Sequence, residues 1–373
     1  MKKIIFTALA LIMTVSLIAC NSADTNDTKA KDELNELNSP FIVTDVAGRQ
    51  VEFDKTPQTV VAMGHGVLKN YVYINGADKL VGIEKTEITG SKLTGQSINY
   101  AYPELKEIKT IGDGGSKFTP NYELLAEINP DVIFCAYNIS KEEYDALQEK
   151  TKSKVVALDT GTSRKVFNDT VYKNFEIIGQ VMGKQERAQE LISFIKDIKK
   201  DMDSRNLSTD DSPQIYVGGT SFRGTQGILS TQSHYELLDS VGAKNIMDSI
   251  TDKTSIIIDS EKLAELNPEL IIIDLSGKSI VLEDMQKNVE FYNNLNAFKN
   301  HKVYSIMPYF TYGMNFDTAI LDMYYVGSLV HPNSFKDLNF EDKAKLVYEK
   351  FVGKNVHDDL INNYPEAYKE FVK

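Results

Sequence analysis

Seven side chains in short loops of this sequence could take hold of an anion or a metal chelate. Arg223 stands in Gly219-Thr220-Ser221-Phe222-Arg223-Gly224. A guanidinium flanked by glycine can reach a carboxylate or oxyanion and grip it with two parallel N–H donors. Tyr309 and Tyr312, in Pro308-Tyr309-Phe310-Thr311-Tyr312-Gly313, and Tyr137, in Ala136-Tyr137-Asn138, supply phenol oxygens and flat rings for an iron chelate or macrocycle. Aromatic rings near strand ends also serve lobe packing. His65, between Gly64 and Gly66, can ligate iron or hydrogen-bond an oxyanion. Lys117, after Asp113-Gly114-Gly115-Ser116, and Arg164, after Asp159-Thr160-Gly161-Thr162-Ser163, add cations.

This is a chemistry of binding. Gly64-His65-Gly66 and Gly112-Asp113-Gly114 both lack the third glycine of a dinucleotide fingerprint, because Lys69 and Lys117 stand there. Gly179 to Lys184 lacks the phosphate-loop spacing, and no Gly-x-Ser-x-Gly occurs. No enzyme is expected. The histidines, at 65, 234, 301, 331 and 357, do not cluster. A free divalent cation wants about three or four grouped imidazoles and carboxylates, so the sequence points to no metal site or cofactor of the protein's own.

The elements that must hold these loops are written twice. Residues 123–134 read ELLAEINPDVIF and residues 261–272 read EKLAELNPELII. Around them, Val60-Val61-Ala62-Met63 pairs with Ile215-Tyr216-Val217, Gly76-Ala77-Asp78-Lys79-Leu80-Val81 with Gly242-Ala243-Lys244-Asn245-Ile246-Met247, and Lys154-Val155-Val156 with Lys302-Val303-Tyr304. The runs are β-branched and bounded by Gly, Pro, Asp or Asn, as buried parallel strands are, and the stretches between them carry helical spacing. Each half is therefore expected to be an α/β lobe with a mainly parallel sheet, over 41–183 and 207–373. Between them, Ala188, Leu191, Ile192, Ile195, Ile198 and Met202 recur at steps of three and four, which predicts one helix over 184–206. Two lobes joined by a helix leave a cleft, and in open α/β sheets ligands bind at the carboxyl ends of the strands.

With 373 residues, 42% hydrophobic and 25% charged, the chain has room for two cores. Residues 1–19 read as a secretory signal: Lys2 and Lys3 precede an apolar run from Ile4 to Ile18. The run is too short and too early to be a membrane span of the mature protein. Its end, Leu17-Ile18-Ala19-Cys20, resembles the bacterial lipobox, whose cysteine is lipidated and becomes the new N-terminus. Residues 20–40 would then be an anchor and a polar tether. Cys135 is the other cysteine, so no internal disulfide is expected. The formal charge of −12 becomes −14 when the signal, with its two lysines, is removed, which argues against nucleic acid or an anionic membrane surface as a partner.

The lipobox, the entry strand expected over Phe41-Ile42-Val43-Thr44-Asp45-Val46-Ala47-Gly48-Arg49, the two Asn-Pro units and the long helix together resemble the helix-linked (class III) substrate-binding lipoproteins of bacterial ABC importers. That class takes iron-siderophores, haem, cobalamin or, in one branch, molybdate. The resemblance implies a monomeric cargo binder held by lipid on the extracytoplasmic face, either at the cell surface or in a periplasm, delivering to a permease dimer. It also implies that Glu123 and Glu261, each seven residues before its proline, are the two docking carboxylates. Both also suit a helix N-terminus. The cargo order expected is an iron-siderophore or similar chelate, then haem or cobalamin, then a molybdate-like oxyanion.

Overall fold

The computed structural model describes residues 39–88, 95–161, 164–221 and 224–371. The entry strand expected over residues 41–49 ends at Thr44, where the chain turns at Asp45 and folds back as an antiparallel hairpin of β1 (Phe41–Thr44) and β2 (Gln50–Phe53). Its turn is closed by the buried pair Asp45 and Arg49, 2.8 Å apart. Asp45 also accepts the Ala157 amide at 3.0 Å, which pins the hairpin to the first sheet.

That sheet contains β3 (Val60–Gly64), β4 (Leu80–Ile83), β5 (Val132–Ala136) and β6 (Lys154–Ala157), in the order β4-β3-β5-β6, all parallel. The second lobe opens with β7 (Gln214–Gly218); β8 (Ser230–Thr231) pairs outside its main sheet with β10 (Ile256–Ile257). The main sheet adds β9 (Lys244–Asn245), β11 (Leu270–Asp274) and β12 (Val303–Ile306), in the order β9-β7-β11-β12, again parallel. Counted within each main sheet, both orders put the second strand on one side of the first and the third and fourth on its other side. The sequence repeat is thus a repeat of topology.

The duplicated Asn-Pro unit shows how finely this extends. Asn121 caps the helix Tyr122–Ile128 by accepting from the Leu124 amide, and Asp259 caps the helix Ser260–Leu266 by accepting from the Lys262 amide. Each helix ends on an asparagine in the left-handed region, Asn129 at φ 46 and Asn267 at φ 40. Asparagine tolerates that region, and the proline after it cannot continue a helix. The buried strands β5 and β11 follow directly.

The connecting helix runs over Gln185–Ser204, and its buried residues are Ala188, Leu191, Ile192, Ile195, Ile198 and Met202. At 1.5 Å per residue it is about 30 Å long. A second brace was not apparent from the sequence. The helix Phe340–Val352 lies in the stretch assigned to the second lobe, yet it packs on Val67–Asn75 and Ser97–Ala101 of the first. Phe351 meets Tyr73 edge to face at 5.0 Å, and Arg187 of the connecting helix donates to the Lys350 and Phe351 carbonyls at 2.5 and 3.2 Å. One continuous buried cluster therefore runs from Val43 through both sheets to Phe371. Among the described residues, no helix is long and apolar enough to cross a membrane.

Candidate ligand-binding site

The carboxyl ends of β3, β4 and β5 lead into His65, Glu84 and Tyr137. Only glycine fits where β3 ends, since a Cβ on Gly64 would lie 2.4 Å from the Ala136 carbonyl oxygen, so the strands come together there. Glu84, 3% exposed, receives the Gly64 amide at 2.8 Å and the Tyr137 hydroxyl at 2.6 Å. Its third donor comes from the other lobe: Tyr312, in the loop after β12, reaches across and donates to Glu84 at 2.7 Å. The two phenol oxygens are 3.0 Å apart, and the Gly115 amide donates to Tyr312 at 3.1 Å. The His65 ring lies 4.6 Å from that of Tyr312 and 6.0 Å from that of Tyr137.

Electrostatics at this junction follow from burial. Desolvation pushes the Glu84 carboxyl up, opposed by the hydrogen bonds from Tyr137, Tyr312 and Gly64. It also raises both phenols, with the Glu84 charge adding to the effect. His65 is pushed down by burial and by the Lys69 charge, which favours its neutral form.

Beneath this cluster lies one that the sequence reading missed. Lys69 is fully buried, 3.2 Å from Glu87, and its ammonium donates to the carbonyls of Thr311 and Tyr312 at 2.9 and 3.0 Å. Burial lowers the Lys69 pKa and pushes Glu87 up to about 7, with Lys69 opposing the latter shift. The signal was present in the sequence: Lys69 interrupts the helix VLKNYVYIN, which is otherwise apolar on most of its length.

Of the residues singled out in the sequence, His65, Tyr137 and Tyr312 are brought together. Arg164 lies near the seam on the other side, over the Phe310 ring at 4.4 Å and hydrogen-bonded to Gln232 at 2.9 Å. Lys117 is exposed, beyond Gly115. Tyr309 departs from the expected cleft-facing position: it is 1% exposed, packed edge-on against Tyr235 at 5.8 Å inside the second lobe. Its hydroxyl meets no hydrogen-bond partner among the described residues. Arg223 and Cys20 lie outside the described residues. Glu123 and Glu261 are both exposed, in the first turns of the matched helices. Between the lobes, beside His65, Gly66, Asp159 and Gly313, a cavity of about 10 Å³ remains, room for roughly one water molecule.

Two parallel α/β lobes meeting at a seam and joined by one long helix define a helix-linked ligand-binding fold. The periplasmic binding protein family matches residues 73–309, and the chain belongs to it. It is 24% identical over 311 residues, 81% of this chain and 88% of the relative, to the ABC transporter substrate-binding lipoprotein YvrC of Bacillus subtilis. The Fe(3+)-citrate-binding protein YfmC of the same organism is 23% identical over 81% of this chain and 89% of its own. The molybdate-binding protein MolA of Haemophilus influenzae is 23% identical over 83% and 90%. In structure, a periplasmic solute-binding protein of Veillonella parvula superposes with a TM-score of 0.71 at 22% identity, covering 87% of this chain and 96% of that one. Molybdate-bound MolA superposes with a TM-score of 0.66 at 22% identity, covering 84% and 98%. The chain is thus a substrate-binding protein of an ABC transporter, from a family of extracytoplasmic binders rather than enzymes.

Proposed function

We infer that the protein captures an anionic iron chelate at the seam between its lobes and hands it to a permease dimer, without chemistry of its own. The observation that carries this is the approach of Tyr312 from one lobe to Tyr137 and Glu84 of the other. Phenols and a carboxylate are oxygen donors suited to iron, and the cations Arg164 and Lys117, with Arg223 in the same loop set, favour an anionic complex. Relatives named for Fe(3+)-citrate and petrobactin support the iron-chelate reading. A molybdate-like oxyanion is the second reading, supported by the likeness to MolA. Haem and cobalamin, placed second on the sequence alone, stand behind these.

In this reading the protein acts as a monomer held by lipid on Cys20, and Glu123 and Glu261 each meet a basic residue on one permease subunit. Titration with ferric citrate, ferric catecholates, ferric hydroxamates, haemin, cobalamin and molybdate can be followed by tyrosine fluorescence, since the chain has no tryptophan. An iron complex should saturate at the lowest concentration. Saturation by molybdate alone would replace the iron reading with the oxyanion one.

A further inference from the structure

The loop that carries Tyr312 belongs to the second lobe by sequence and to the first by contact. Its base is closed on itself. Phe310 and Met314 form an isolated antiparallel bridge, the Asn315 amide donates to the Tyr309 carbonyl at 2.7 Å, and the Asn315 side chain donates to the Pro308 carbonyl at 3.1 Å. Tyr309 roots that base in the core of the second lobe.

The tip, Thr311-Tyr312-Gly313, leans across the seam instead. The Tyr312 carbonyl accepts from the Gly66 amide and from the Lys69 ammonium, both at 3.0 Å, and the Thr311 carbonyl accepts from the same ammonium at 2.9 Å. The backbones touch there: a Cβ on Gly313 would lie 2.4 Å from the Gly66 Cα.

An ammonium has three protons to place. Glu87 takes one, and the two carbonyls of the tip take the others. Because Lys69 is fully buried, lifting the tip strips a dry charge of two of its three acceptors, which is unfavourable until water replaces them. The same seat holds Tyr312 in the left-handed region, at φ 47, a conformation that a residue other than glycine keeps only where its surroundings enforce it.

We propose that Lys69 and Gly66 seat a strap, residues 310–314, on the first lobe and thereby position the Tyr312 phenol at the seam in advance of cargo. Lys69 is a positioning residue: it acts through Tyr312 and touches no cargo. None of the bonds that seat the strap needs a ligand to complete it. The functional part of this inference rests on the reading of the seam as the cargo site. With its tip held by one lobe and its base by the other, the strap also ties the two together.

The test uses the full mature chain. Lys69→Met combined with Glu87→Leu removes the ammonium from the strap and leaves no unpaired charge behind. Hydrogen exchange followed by NMR reads the Gly66 amide, which should exchange about tenfold faster or more, while the amides of β3 and β5 keep their parent protection. Ferric citrate, titrated by tyrosine fluorescence, should bind about tenfold more weakly, because the binding-competent strap is less populated. Removing the pair in a Tyr312→Phe background should cost little further affinity, the non-additivity expected of residues that act through one another. Gly313→Ala leaves the ion pair intact and pushes the tip off Gly66, so it should repeat the faster exchange and the weaker binding even if the double variant fails to fold. Parent-like exchange at Gly66 in the variants would overturn the seat. Faster exchange with unchanged ferric citrate affinity, or full additivity with Tyr312→Phe, would overturn the positioning role and leave cargo capture standing. Should no iron complex bind the parent, the iron reading falls, and exchange at Gly66 alone decides the seat.

Discussion

Lys69 and Glu87 form an ion pair 3.2 Å apart, the ammonium shielded completely and the carboxylate 2% exposed. The same ammonium holds two carbonyls of the second lobe's loop, at Thr311 and Tyr312, so one side chain serves both a buried charge and the lobe seam. A pair of this kind offers little net stability over an apolar replacement, but each partner depends on the other.

Lys69→Met should destabilise the protein by about 3–5 kcal/mol, because it leaves Glu87 buried and unpaired. Adding Glu87→Leu should restore most of the loss. Urea denaturation of the single and double variants measures both, and a double variant no more stable than Lys69→Met would show that the pair does more than offset its own charges.

Asp274, at the end of β11, is pushed up to about 6, chiefly by burial. The folded state thus keeps its proton over a window in which the unfolded chain, with a pKa of about 3.9, has released it. The stability this group contributes is full below about pH 4 and is lost as the pH rises through about 6. Asp274→Asn keeps the oxygen that accepts the Ser276 amide at 2.8 Å. The stability of the parent relative to this variant should fall by on the order of 3 kcal/mol between about pH 4 and pH 7. Parallel denaturation curves across that range read the slope.

Glu123→Arg and Glu261→Arg change exposed first-turn residues and should shift stability by no more than about 0.5–1 kcal/mol, from the helix dipole. Cargo affinity should be unchanged for both. Uptake into vesicles carrying the permease should drop for each and vanish for the double variant. Full uptake by the double variant would remove these carboxylates from the docking surface.

Ligand binding should close the molecule only slightly, since a helix about 30 Å long cannot absorb the dihedral changes that loop hinges allow. The Phe340–Val352 brace opposes large motion as well. Small-angle scattering of free and loaded protein should give nearly equal radii of gyration.

The sequence exposed the fold more fully than the site, for a physical reason. Strands such as Val132–Ala136 and Leu270–Asp274 declare themselves as β-branched runs, and the connecting helix as a periodic apolar stripe; both patterns are local. The helix read over 184–206 spans Gln185–Ser204. Site residues depend on which loops meet. Tyr312 and Tyr309 sit three positions apart in one loop, yet one crosses to the first lobe and the other fills the core of the second. Glu84 and Glu87 look like ordinary surface acids after a strand, and only tertiary packing buries them. The brace was hidden likewise: an apolar stripe on Phe340–Val352 announces burial without naming the surface it covers.

That brace bears on how the chain reaches its native state. Phe351 and Tyr73 stand far apart in the sequence, so some packing of the first lobe waits for residues made much later. Such distant pairs pay their loop-closure entropy before any contact rewards them, which slows folding. The lobes should not melt as separate domains but in one cooperative transition, and a chain shortened to end before residue 340 should lose protection from amide exchange in the helix Val67–Asn75 as well as at the cut.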